Sequence, residues 1–225
     1  MDFAELAFRR IDDRQLKADA YVDWANELLE GGCDVPSIWE LAAYRWDAYI
    51  DPDQVERLFL SCVGDLGLEL QSEWYVALCA YSSSLCERML RGITQPWDCL
   101  IEMLTLADDH NEPYIHWIWI DLSRDLEPIE RRRSDYICFN GTLDLKKSDD
   151  CIRMVAQQFI ALCTLPLSEK FPWVWLCQEC GAVGEESTFT EAKACLCTKC
   201  GTTFAMKNMR FFEHRDELVR RCAAK

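Results

Sequence analysis

Asp51-Pro52-Asp53-Gln54-Val55-Glu56-Arg57-Leu58-Phe59-Leu60-Ser61-Cys62-Val63-Gly64-Asp65-Leu66 is the stretch whose pattern sets the fold class. Asp51 offers a carboxylate to the free amides of a first helical turn, and Pro52 falls where a helix does not need the N–H that proline lacks. Val55, Leu58, Phe59, Cys62, Val63 and Leu66 then recur three and four apart, so all six line one side of a helix.

The pattern extends in both directions. Upstream, Leu16, Ala20, Tyr21, Trp24 and Leu28 form a stripe that stops at Gly31-Gly32, a pair suited to the left-handed conformation beyond a helix end. Ser37, with Glu40 three residues later, reads as a capping box opening a second helix. Downstream, Ser72 is positioned to cap a helix whose Trp74, Ala77, Leu78, Tyr81, Leu85 and Met89 share a face, and Pro96 and Pro113 sit near the starts of two more. Starts spaced about 15 to 23 residues apart suit antiparallel helices joined by short loops, as a bundle or a short helical array. Asn140-Gly141, flanked by Tyr136-Ile137-Cys138-Phe139 and Thr142-Leu143-Asp144-Leu145, marks a small hairpin. Residues 148–163 return to helix, with Asp149 and Asp150 in the first turn and Ile152, Val155, Ala156, Phe159, Ile160 and Cys163 along the buried side. Pro166 and Pro172 then mark a boundary. The expected architecture is mainly α: an acidic helical domain over 1–169, followed by a small β domain with a C-terminal helix over 170–225.

Charge divides along the same line. Residues 1–169 hold 15 Lys and Arg against 32 Asp and Glu, a net −17, whereas 170–225 hold 9 against 7, a net +2. A strongly negative domain repels the phosphate backbone, whose neutralisation by Lys and Arg supplies most non-specific affinity for nucleic acid. The same charge keeps a protein soluble and steers basic protein partners toward it.

The most apolar run, Tyr114 to Ile120, ends at Asp121, well short of the roughly 18 residues of a membrane span. Met1-Asp2-Phe3-Ala4-Glu5 carries acids where an export signal carries basic and then apolar residues. A cytoplasmic location follows as the expectation, and with it fourteen cysteines that are thiols or metal ligands rather than a disulfide framework. Cys33, Cys62, Cys79, Cys86, Cys99, Cys138, Cys151 and Cys163 fall mostly at apolar positions of helical stripes, which suits core packing.

The remaining chemistry lies near the C-terminus. Cys177-Gln178-Glu179-Cys180-Gly181 is followed, after an interval ending at Leu196, by Cys197-Thr198-Lys199-Cys200-Gly201. Two cysteines separated by two residues can turn back onto one ion, and four thiolates match zinc's tetrahedral preference and its affinity for sulfur. The glycine after each second cysteine permits the tight turn that brings amides toward the sulfurs. Cys195 competes for the third position, but Cys197 alone precedes Cys200 with the required spacing. A redox dithiol at Cys177 and Cys180 is the rival reading, and the paired repeat argues against it. Strands are expected at Ala182-Val183, Ser187-Thr188-Phe189-Thr190 and Gly201-Thr202-Thr203-Phe204-Ala205, and a helix over 208–222.

Over residues 173–206 this pattern resembles the zinc-ribbon family. The resemblance implies a three-stranded sheet pinned by one structural Zn2+ on Cys177, Cys180, Cys197 and Cys200. A ribbon of this kind either staples the C-terminus or acts as a recognition module; Lys193, Lys199, Lys207 and Arg210, interleaved with Phe204, Phe211 and Phe212, are the residues that would serve the second role.

No reaction is legible. The three histidines, His110, His116 and His214, read as structural, since His110 and His116 are six apart and do not share a helical face. There is no phosphate-binding loop, dinucleotide fingerprint, nucleophile elbow or zincin motif. Arg131-Arg132-Arg133 is balanced by Glu127, Glu130 and Asp135 and reads as a surface ion-pair cluster. The functional expectation is therefore a cytoplasmic binding protein without catalytic activity. In composition it is similar to bacterial immunity and antitoxin proteins, small acidic inhibitors that occlude basic partners. The alternative is a zinc-ribbon regulator in which 170–225 contacts nucleic acid or the transcription or translation machinery.

Overall fold

Alternating punctuation and apolar stripes become eight α-helices among the residues that the computed structural model describes, which are 1–12, 16–46, 51–111, 113–130, 144, 146–163, 173–184, 196, 197, 199–203 and 206–210. The helices are α1 (Phe3–Ile11), α2 (Ala18–Glu30), α3 (Pro36–Ala43), α4 (Pro52–Asp65), α5 (Trp74–Leu90), α6 (Pro96–Asp109), α7 (Trp117–Glu130) and α8 (Ser148–Cys163). Short 3-10 turns, Tyr44–Trp46 and Tyr114–His116, follow α3 and precede α7. Three strands follow: β1 (Trp173–Cys177), β2 (Val183–Gly184) and β3 (Met206–Arg210). The protein is mainly α, and none of the described helices is long and apolar enough to cross a membrane.

Local signals placed several helix ends. Asp51 Oδ1 accepts the Asp53 amide at 3.0 Å, with Pro52 in the first turn of α4. Gly32, just past α2, has φ 87°, and Cys33 N–H donates to Leu28 O at 2.9 Å, closing the C-terminus as the glycine pair implied. α8 spans the residues its stripe indicated. Ser37 is different: Val35 occupies the cap position, Pro36 opens α3, and Ser37 is buried inside the helix. The fixed φ of Pro36 starts the helix before Ser37 can serve as its cap. α5 begins at Trp74, with Glu73 O taking the Ala77 amide, so Ser72 stands one residue outside the first turn. α1 was not expected at all. Asp2 caps it through Oδ1 to the Glu5 amide at 2.9 Å, and Asp2 Oδ2 accepts from Ser84 Oγ at 2.6 Å.

Two compact units divide the chain, Met1–Ser84 and Leu85–Lys225, with the division inside α5. In the first unit, Phe59 of α4 is fully buried, with its ring 4.5 Å from Tyr21 and 5.4 Å from Trp24 of α2. Val55, Cys62 and Val63 extend that stripe against Ile38 and Leu41 of α3, so the face read from residues 51–66 is the one that packs. Phe8 of α1 stacks on Tyr81 at 5.6 Å, and Trp74 Nε1 donates to Asp12 Oδ1 at 3.3 Å.

In the second unit α6, α7 and α8 pack on one another. Leu100, Met103, Ile118, Leu122, Val155 and Phe159 are among the buried side chains. Trp119 meets Phe159 at 5.6 Å, and Arg153 Nη1 donates to Met89 O at 3.3 Å. The strands form one antiparallel sheet in the order β2-β1-β3, with Trp175 opposite Gly184 and Asn208, and Cys177 opposite Met206.

Two segments near the C-terminus differ from expectation. Residues 201–203 are a turn rather than a strand, because Gly201 and Thr202 bond back to Cys197. Residues 208–210 are strand rather than helix, because they pair with β1. The hairpin around Asn140-Gly141, the Arg131–Arg133 cluster, the boundary between Pro166 and Pro172, the strand 187–190 and the remainder of the tail, 211–225, lie outside the described residues.

Candidate metal centre

Two turns of one geometry carry the four cysteines. In the first, Gly181 N–H donates to Cys177 O at 3.0 Å and Cys177 N–H donates to Ala182 O at 2.8 Å. In the second, Gly201 N–H donates to Cys197 O at 2.8 Å and Cys197 N–H donates to Thr202 O at 3.0 Å. The offsets match because Cys-x-x-Cys-Gly occurs twice, and both glycines take left-handed backbone, φ 70° and 71°. A side chain there is strained, which accounts for glycine at both positions.

The sheet brings the turns together. β1 runs into the first turn at Cys177, and β3, which follows the second turn, pairs its Met206 with Cys177. Cys177 Sγ lies 3.7 Å from Cys200 Sγ, Cys180 Sγ lies 3.7 Å from Cys197 Sγ, and all four sulfurs are within 4.8 Å of one another. These separations are far longer than the S–S bond of about 2.05 Å, so the sulfurs are four separate thiols. Gathered in this way they can bind a metal ion.

The first cysteine of each pair is buried and the second is exposed: Cys177 and Cys197 pack with Trp175 and Ala182, while Cys180 and Cys200 face solvent. Four thiols this close cannot all ionise independently. Cys200 is drawn down to about 6, first by the Thr202 hydroxyl, 3.3 Å from its Sγ, and then by the Thr202 amide. Cys180 moves up to about 11: the Ala182 amide favours its thiolate, but desolvation and the sulfurs of Cys200, Cys197 and Cys177 outweigh it.

Sequence reasoning named the four cysteines but not their supports. Strand β1 went unread, and Ala182 and Thr202, read there as strand residues, instead support the cysteines; the repeat itself held that signal, since the two occupy equivalent positions after each Cys-Gly. Cys195, Lys193, Phe204, Phe211, Phe212 and His214 lie outside the described residues, as do the side chains of Lys207 and Arg210; Lys199 is exposed. Of the eight earlier cysteines, Cys62, Cys79, Cys86, Cys99 and Cys151 are buried, Cys33 and Cys163 are half-buried, and Cys138 is outside the described residues. Burial pushes the Cys62 thiol up, and burial followed by the neighbouring Cys99 thiol does the same to Cys86, which suits inert core residues.

The other candidate groups are dispersed. His116 is buried and stacks on Phe159 at 5.9 Å, whereas His110 is half-buried at the end of α6. Asp121 and Asp125, one turn apart on α7, are buried acids that nothing in the sequence distinguished from the exposed ones; Arg124 Nη1 lies 3.5 Å from Asp121 Oδ1. Compared with protein-family models, with curated proteins and with solved structures, the chain matches none.

Proposed function

We propose that this chain is a cytoplasmic protein-binding protein, an inhibitor of the immunity or antitoxin kind, whose acidic helical part occludes a basic partner. Residues 170–225 form its zinc ribbon, with one structural Zn2+ on Cys177, Cys180, Cys197 and Cys200. The observation that carries the binding role is the charge distribution. Residues 1–84, the first compact unit, hold six Lys and Arg against seventeen Asp and Glu, a net −11, so most of the chain's −15 lies on one small unit. A concentration of one sign on that scale accelerates encounter with the opposite sign and repels nucleic acid.

The zinc assignment rests on geometry and donor chemistry. Four thiolates at about 2.3 Å from a tetrahedral zinc stand about 3.8 Å apart, close to the 3.7 Å separations found between two pairs of sulfurs. Four protein ligands leave no open coordination position, which suits a structural rather than a catalytic ion.

The test is recovery of partners by the zinc-loaded chain from its native cytosol, with a nuclease-treated control. A stoichiometric basic protein that survives nuclease is expected, with binding that weakens as salt rises. Nuclease-sensitive recovery of transcription or translation components alone would overturn the inhibitor and favour the zinc-ribbon regulator.

A further inference from the structure

An exposed aromatic face stands out on the first unit. Trp39 of α3 is 56% exposed and Trp46, at the end of the following 3-10 turn, is 85% exposed. Ala43 between them is also exposed, and spacings of four and three residues in helical backbone keep all three on one side. Single exposed apolar residues are ordinary, but two indoles on successive turns are the residue type that dominates protein interfaces. Trp39 is also held in place, since its Nε1 donates to Asp34 Oδ1 at 3.1 Å. An indole fixed by a carboxylate loses little freedom on binding.

The surroundings say what the face can take. Asp34 and Glu40 are exposed beside Trp39, and Arg45, also exposed, is the cation of this stretch. α2 packs against both α3 and the 3-10 turn, and its Asp19, Asp23, Glu27 and Glu30 are all exposed at helical spacing; Glu27 holds the N-terminal amine at 2.8 Å. Nucleic acid and anionic lipid are repelled by a unit of net −11, and a second copy would bring two such units together. A guanidinium satisfies both features, since it stacks on an indole face and pairs with carboxylates.

We infer that the Trp39–Ala43–Trp46 face is the docking surface for an arginine-rich segment of a protein partner, with the indoles taking guanidinium groups and the α2 carboxylates neutralising the charge. This rests on the proposed function and deepens it by naming where the basic partner sits.

The test uses the full zinc-loaded chain labelled with 5-fluorotryptophan and a synthetic peptide of alternating Arg and Ala. Trp39→Phe and Trp46→Phe assign the two resonances among the nine tryptophans. The peptide should shift those two signals ahead of the other seven, and Trp39→Ala/Trp46→Ala should bind it about tenfold more weakly with unchanged helicity and melting. Equal binding by the wild type and the double variant overturns this inference while leaving the basic-partner reading intact. Binding by neither overturns both. Shifts that depend on protein concentration, with a dimer in sedimentation that the double variant loses, would make a second copy the occupant. Shifts produced by phosphatidylcholine vesicles in place of the peptide would make it a membrane. Either result removes the arginine-rich segment.

Discussion

At Gly201 the backbone has φ 71°, and a Cβ built there would meet nothing within 4 Å. The obstacle to a side chain is therefore conformational, costing about 1–2 kcal/mol. Gly201→Ala should weaken zinc retention about tenfold in competition with a chelator, with little change in helicity; undiminished retention would mean that this turn does not define the metal centre. His116 offers a second test. Burial, and then the charge of His110, lower its pKa from 6.5 to about 3. Between those values the unfolded chain binds a proton that the folded chain refuses, so this contribution to stability is fully present above about pH 6.5 and lost at about 1.4 kcal/mol per pH unit as the pH falls toward 3. His116→Phe should flatten that limb in urea melts run across the window, and an unchanged slope would contradict the assignment. The four cysteines were legible because their spacing is the chemistry; Thr202 and the buried state of His116 were not, since each depends on what the fold brings beside it.

Among the elements, α4 has the clearest prediction. Phe59 sits under Tyr21 and Trp24 with no exposed surface, so Phe59→Ala removes a ring from between two helices and should cost about 3–5 kcal/mol. Denaturant melts measure this; a loss under about 1 kcal/mol would mean the site collapses or is not packed as described. α4 and α8 could be read from the chain because caps and three-four stripes are local signals. α3 was misplaced by one competing local signal, where Pro36 overrode the capping pattern of Ser37 and Glu40. Residues 208–210, expected as the start of a helix, belong to β3 for a different reason. Met206–Arg210 is a strand because β1 pairs with it from 29 or more residues upstream, and pairing at that distance leaves no periodicity in a five-residue segment.

Across the whole molecule, charge and metal chemistry occupy different parts of the chain. The first 84 residues carry −11 and the remaining 141 carry −4, so the acidic charge is concentrated early in the sequence and the four-cysteine cluster that can bind a metal ion lies late. The division inside α5 is not legible in the sequence, because one uninterrupted helix gives no sign of a change in packing partners; the boundary that proline and charge mark at residue 169 lies outside the described residues. The proposed structural zinc, bound by four thiolates, would hold the C-terminal sheet without support from the helices. The measurement is the metal content of the purified 225-residue chain beside Cys177→Ser, with far-UV circular dichroism on both. One zinc per wild-type chain, none in the variant, and nearly unchanged helicity are expected. A metal-free wild type, zinc retained by the variant, or collapse of the helical signal with the metal would contradict the proposal.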